Sequence, residues 1–391
     1  MNVRPATIGD FVEPITTWNP ATKPDDSFIY IDLSAVNQTE KQIASATSTV
    51  GAEAPSRARQ LVKKGDILVS TVRPNLNGVA AVSEAFDGAT ASTGFCVLRP
   101  RPQLLSSNYL MHWVRSPQFV DLMVKQATGA SYPAVSDRIV KGSPIPLPSL
   151  DEQRRIAAIL DKADAIRRKR KRAVDALDSL TQSIFLKMFG DPIEDPQYST
   201  RQLNDLVNSD RGISYGIVQR GQDRENGTKV LRISDIVDGH ITGYGLKQTA
   251  PEIADKFRRT KLVGGEIAIS IRGTVGRCAV VPSFLSGANV SREIAVIPTA
   301  VGRLNPFYLS LIRTDSAQRR LARDVKGVAQ SGINLEDLRQ LPIIQPPKSE
   351  IDHFLKAHSH YQNIGLKSRE QTEKFEILSS SLQYRAFSGQ L

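Results

Sequence analysis

The chain has 391 residues, 40% of them hydrophobic, which is enough for two cored domains. Its formal charge is +11, spread as +2 over 1–141 (14 basic against 12 acidic), +4 over 142–189 (10 against 6), +4 over 190–345 (21 against 17) and +1 over 346–391 (6 against 5). Basicity in both halves suits a protein lying along a polyanion, although an ordinary basic protein has it too. The only cysteines, Cys96 and Cys278, lie in apolar runs and predict buried thiols in a reducing compartment, which argues against a disulfide framework. No apolar run approaches about 18 residues and no signal peptide leads the chain, so a cytoplasmic protein without membrane spans is expected.

Residues 1–143 form a first block with mixed α and β character. FIYIDLSAV (28–36) alternates as a strand does, and a polar Ala/Ser/Thr-rich loop covers 44–58. Two β-rich runs, Ile67–Val72 and Val79–Val82, flank the turn formers Pro74, Asn75, Asn77 and Gly78. STGFCVLRP (92–100) reads as another strand, 104–124 as helix, and GASYPAVS (129–136) as a loop.

Residues 144–190 organise the chain. Prolines at 144, 146 and 148 hold the backbone extended, and Ser149, Asp151 and Glu152 crowd a helix start where their oxygens cap free amides. No Pro or Gly follows until Gly190. Apolar residues at 156, 159, 163, 166, 173, 177, 180 and 184 alternate steps of three and four, with Arg170 as the one break. A helix of about 38 residues spans roughly 57 Å and needs a partner helix to cover that seam.

The partner is in the same chain. Shifted by 198 residues, the stretch recurs without a gap: Pro144 falls on Pro342, Glu152 on Glu350, Ile156 on Phe354, Ile166 on Ile364, Leu180 on Leu378 and Phe189 on Phe387. Residues 342–391 therefore form a second long helix, and 191–341 a second block. GGEIAISIRGTVGRCAVV (264–281) echoes KGDILVSTVRPNLNGVAAV, and SREIAVIP (291–298) stands for STGFCVLRP. The seam residues are Ile156, Ile159, Ile166, Leu177, Leu180 and Ile184 on one helix, and Phe354, Tyr361, Ile364, Phe375, Leu378 and Leu382 on the other. The repeated scaffold carries unlike loops, as expected of a protein that reads two different things.

No GxxxxGK[ST] loop signals nucleotide hydrolysis, no methyltransferase centre is visible, and no nucleophile–base arrangement can be argued. His353, His358 and His360 lack the i, i+4 spacing of metal ligands, so no metal is expected. The run RRKRKR (167–172) reads as a solvated helix face balanced by Asp161, Asp164, Asp175 and Asp178, or else as a phosphate grip. The candidates for base reading lie in the loops: Arg73, Asn75, Asn77 and Tyr132 in the first block, and Tyr215, Arg272, Arg277 and Gln330 in the second. Arg offers a fork to guanine O6 and N7, and Asn a donor–acceptor pair to adenine. The plainer reading is that Asn and Gly make the turn while Arg is a surface residue.

The PIPLPSLDEQRRIAAIL entry into a helix closing on SIFLKMFGD, and the second copy ending SSSLQYRAFSGQL, resemble the specificity subunits of type I restriction-modification systems. The KGDILVS and GGEIAIS strands do so too, and the resemblance covers essentially the whole chain. It implies an α+β fold of two α/β target-recognition domains in tandem, each followed by a long helix. The helices would pair as an antiparallel coiled coil with pseudo-two-fold symmetry. It implies no catalysis by this chain, but recognition of a bipartite double-stranded DNA target, one half-site per domain. Two methyltransferase subunits would dock on it, with restriction and translocase subunits completing the complex. S-adenosylmethionine, ATP and Mg would be used by those partners and no cofactor by this chain. One departure is that Ile351 stands where the first copy has Gln153, so docking at that end would be weaker or made differently.

Two other readings remain. One is a coiled-coil adaptor whose blocks hold protein or RNA partners without sequence-specific DNA recognition. The other is a nuclease using carboxylates such as Asp66 and Glu266.

Overall fold

The computed structural model describes residues 4–219, 221–237, 239–241, 243, 245–325 and 332–391. The chain gathers into two units: residues 1–170 with 371–391, and residues 171–370. Both boundaries fall inside the long helices Leu150–Phe189 and Lys348–Phe387, each of 40 residues and so about 60 Å long.

In the first unit a four-stranded sheet runs in the order Val12–Glu13, Phe95–Pro100, Ile67–Ser70, Val79–Ala81. The strand Ile67–Ser70 has no polar face because it is covered on both sides. Ile67 and Val69 join one core with Cys96, Leu98 and Tyr109, while Leu68 joins another with Phe95 and Val97. A second sheet sets Ser27–Ile31 parallel to Thr90–Ser92, flanked by Thr47–Val50 and Ala58–Leu61. The helical stretch expected over 104–124 is two helices, Ser107–Arg115 and Pro117–Gln126. Ser116 ends the first and caps the second through Phe119 N, with Pro117 at its first position. The alternating prolines form the strand Pro144–Leu147, paired antiparallel with Arg4–Thr7 in a two-stranded ladder that tolerates missing amide donors.

The second unit repeats this plan. Its four-stranded sheet runs Ser214–Tyr215, Ile294–Ile297, Ile267–Ser270, Cys278–Val280, in the same spatial order. Thr228–Leu231 lies parallel to Asn289–Val290, and Thr200–Gln202 pairs with the proline-led strand Pro342–Ile344. The place of the strand Ala58–Leu61 is taken by the helical turns Pro251–Ala254 and Asp255–Thr260, tied by Thr260 Oγ1 donating to Asn289 Oδ1 at 2.7 Å.

The long helices run antiparallel within each unit. In the first unit Arg155 donates to Leu391 O at 3.0 Å and Arg170 to Gln371 O at 3.0 Å. In the second, Arg369 grips Asp178 at 2.7 and 2.8 Å. Burial along the helices is uneven. Of the seam residues, Ile156 and Phe354 are buried; Ile159, Leu177, Ile184, Tyr361, Phe375 and Leu382 are half-buried; Ile166, Leu180, Ile364 and Leu378 are exposed. The buried stripe is Gln153, Ile156, Ala157, Leu160 and Ala163 at one end and Thr181, Phe185 and Phe189 at the other. Each helix end is covered by its block as well as by the other helix. Phe387 meets Tyr109 and Trp113, and Phe189 meets Phe185, Phe307 and Phe354. Between the ends polar contacts take over, including Arg170 stacked on Phe375 at 5.0 Å.

His358 gives unit 171–370 an acid sensitivity. Burial first, then His240 and Arg313, push its pKa down to about 4, while Asp178 opposes them. The unfolded chain therefore takes up this proton first. The associated stability is fully present above pH 6.5 and is lost as pH falls towards 4, by an amount on the order of 3 kcal/mol. His358→Leu should flatten this part of the acid limb in thermal unfolding between pH 7 and 4. An acid limb identical to that of the unsubstituted protein would show that His358 titrates normally.

Candidate nucleic-acid interface

The turn after Ile67–Ser70 and its counterpart after Ile267–Ser270 carry most of the loop candidates. Hydrogen bonds fix which residues correspond. Ser70 N donates to Gly78 O and Ser270 N to Arg277 O, both at 2.8 Å. Val135 N donates to Thr71 O and Ile333 N to Ile271 O, both at 2.9 Å, and Val72 bridges Ala134 as Arg272 bridges Gly332. Arg272 thus occupies the place of Val72, not that of Arg73. Arg73 corresponds to Gly273 and Asn77 to Gly276.

Both turns need left-handed backbone at these two places. Arg73 has φ 50° and Asn77 φ 47°, against 67° for Gly273 and 91° for Gly276. A left-handed residue with a side chain costs roughly 1–2 kcal/mol, which glycine avoids. Asn77 is a turn residue whose amide faces inward: Nδ2 donates to Arg115 O at 3.3 Å and Oδ1 is buried without a partner. Its carbonyl accepts from Lys41 Nζ at 2.5 Å. Burial, then Arg115 and Arg167, push that amine down to about 8. Asn75 and Arg277 are exposed at the turn surface.

Arg73 is exposed, and its guanidinium lies 4.6 Å from the centroid of Tyr132, itself 68% exposed. Tyr132 belongs to a loop pinched by paired hydrogen bonds between Thr128 and Ala134, and Arg73 N donates to Pro133 O at 2.7 Å. Arginine and tyrosine therefore sit on one braced element. In the other unit Arg272 lies 6.0 Å from the Tyr215 ring centroid. Arg277 borders a cleft of about 400 Å³ with Thr274, Arg313 and Gln318. Gln330 lies outside the described residues.

The carboxylates singled out for metal chemistry are engaged elsewhere. Asp66 is 1% exposed, takes a forked pair from Arg99 at 2.7 and 2.9 Å and accepts from Lys63 N. Glu266 accepts from Arg211 at 2.8 Å and from the amides of Val263 and Gly264. Among the described residues no three His, Cys, Asp or Glu gather as a metal-ligand group, and no helix is long and apolar enough to cross a membrane. Cys96 and Cys278 are free and buried, and burial pushes the Cys278 thiol up to about 12.

Sequence reasoning did not single out the contacts that seat the blocks on the helices. His112 meets Asp161 at 2.8 Å, and Arg115 meets Asp164 at 2.5 Å. In the other unit Asp178 takes Arg369 and His240 together. Within the basic run, Arg167 faces Asp164 at 3.7 Å and Lys171 faces Asp175 at 3.3 Å, so these charges are balanced locally. Apolar side chains stay open along the helices: Ile377 (73%), Leu378 and Tyr384 in one unit, Leu180, Ile364 and Leu366 in the other.

The scaffold is duplicated, and each copy carries an arginine-bearing turn at the same place. The chain belongs to the family described as type I restriction modification DNA specificity domain, which matches residues 14–176 and again 197–383. The EcoBI type I restriction enzyme specificity subunit of Escherichia coli is 23% identical over 304 residues, covering 70% of this chain and 64% of the relative. The MjaVIII specificity subunit of Methanocaldococcus jannaschii is 22% identical over 394 residues, covering 94% and 88%. A solved chain from work on complex assembly and conformational transition of the type I R-M system has a TM-score of 0.55 at 24% identity, covering 99% of this chain and 98% of that one. That likeness shows the fold.

Proposed function

We propose that this chain is the DNA-reading, non-catalytic subunit of a type I restriction-modification complex, each unit reading one half of an asymmetric two-part duplex target. The observation that carries this is one scaffold present twice with turns that differ in residue type at corresponding places. Arg73 and Asn77 stand in one unit where Gly273 and Gly276 stand in the other, and Arg272 stands where Val72 does. Identical turns would read identical halves. Two methyltransferase subunits dock on the helices and blocks, where open apolar side chains such as Ile377 and Leu366 await cover. Restriction and translocase subunits complete the assembly. S-adenosylmethionine, ATP and Mg belong to those partners, and this chain holds no cofactor.

The test is selection from randomised duplexes by the chain in complex with its methyltransferase subunits. The expected result is one motif of two unlike parts at a fixed gap, with binding that weakens steeply as salt rises. Salt-insensitive binding without an enriched motif would favour the adaptor reading.

A further inference from the structure

Among the exposed side chains of the two turns, Arg73 combines a left-handed backbone that favours glycine with an aromatic neighbour, and the fold asks for neither. The turn it occupies is built in the second unit with Gly273 at the same place, so left-handed backbone there asks for no side chain. Asn77 has an inward role in its turn, whereas Arg73 has no acidic partner among the described residues. What it has is a brace. Its amide is held by Pro133 O, and its guanidinium carbon lies over the Tyr132 ring, 4.6 Å from the centroid of a side chain that is otherwise largely open. Among the described residues no hydrogen bond or ion pair engages the Arg73 guanidinium, so its planar set of N–H groups stays available. That presents a fork to two acceptors in one plane, as on the major-groove edge of guanine, whereas a phosphate contact needs only charge.

We infer that Arg73, braced by Tyr132, is a specificity-determining residue of the first unit and reads a guanine in its half-site. This rests on the DNA-recognition reading above. Tyr132 is the positioning residue. The second unit has a looser pair at a neighbouring backbone place, half-buried Arg272 with its guanidinium 6.0 Å from the Tyr215 centroid.

The test uses the complex with its methyltransferase subunits, selection from randomised duplexes, and thermal unfolding of each variant. Arg73→Gly should unfold no lower than the unsubstituted protein, because it relieves left-handed backbone. It should also lose about ten-fold or more of the guanine preference at one position of one half-site. Arg73→Lys keeps the charge without the planar fork and should lose preference at that same position while keeping the salt dependence. Tyr132→Ala should reduce that preference in part. Full guanine preference in both arginine variants would overturn the inference. So would binding by Arg73→Gly that is uniformly weaker over all sequences with a shallower salt slope, the mark of a phosphate contact. An unsubstituted complex that enriches no motif would overturn the recognition reading itself, and this inference with it.

Discussion

Phe189→Ala should destabilise unit 171–370 by about 3–5 kcal/mol and lower its unfolding transition by roughly 10 °C. Phe189 is fully buried, and its ring centroid lies 5.1 Å from Phe185, 5.2 Å from Phe307, 5.8 Å from Phe354 and 6.2 Å from Tyr198. Two of these neighbours come from the ends of the long helices and two from the second block's own segments. The truncated side chain therefore leaves a cavity where all three elements meet, and rigid rings cannot collapse into it. Ile377→Ala, on a side chain 73% exposed, is the control and should stay within about 0.5 kcal/mol. Calorimetry with the unit-resolved transitions compared checks both. Equal effects from the two variants would mean that the aromatic cluster does not hold helix to block.

Asp66→Ala should cost unit 1–170 with 371–391 about 3–5 kcal/mol, since it strands the Arg99 guanidinium, 13% exposed, without its carboxylate. The same substitution separates structural from catalytic use of this acid. A structural acid lowers the unfolding midpoint of its unit, whereas a metal-binding nuclease carboxylate would leave the midpoint in place and remove cleavage. The forked Arg99 contact and the Lys63 amide point to the first outcome. An unshifted midpoint by denaturant titration would contradict it.

The repeat was legible in the sequence because the second copy of the helix follows the first at a constant offset of 198 residues without a gap. The helix ends were legible for the same reason: Phe189 and Phe387, and Ile156 and Phe354, pack in equivalent places. The middle of the seam was not. A 3.5-residue pattern drifts round a 3.6-residue helix, and here the blocks decide which stretches are covered, so Ile166 and Leu378 stay open. Arg170, a break in the heptad by sequence, stacks on Phe375, whose position relative to it depends on pairing across 205 residues of chain.

The loops were legible as loops, and their chemistry only in part. Arg73 and Arg272 are the first arginines after equivalent strands, which makes them look like counterparts. The hydrogen bonds to the neighbouring loop put Arg272 opposite Val72, at the same offset of 200 as Ser70 and Ser270, and the one residue missing from the second turn lies further on, before Gly276. Nor does the sequence foretell that Asn77 faces inward, because that depends on where the Arg115 carbonyl lies. Tyr132 and Tyr215 brace their arginines from different segments, a relation that no spacing within the repeat encodes. The balancing of Asp66 by Arg99 and of Glu266 by Arg211 is likewise long-range in both units.

The most direct measurement of the central claim is adenine methylation mapped across a host genome, with this gene present and then deleted. Recognition by two unlike units predicts that deletion removes methylation from one motif, made of two different halves at a fixed gap, and leaves other motifs untouched. An unchanged map, from a gene shown to be expressed together with its methyltransferase subunits, would contradict it.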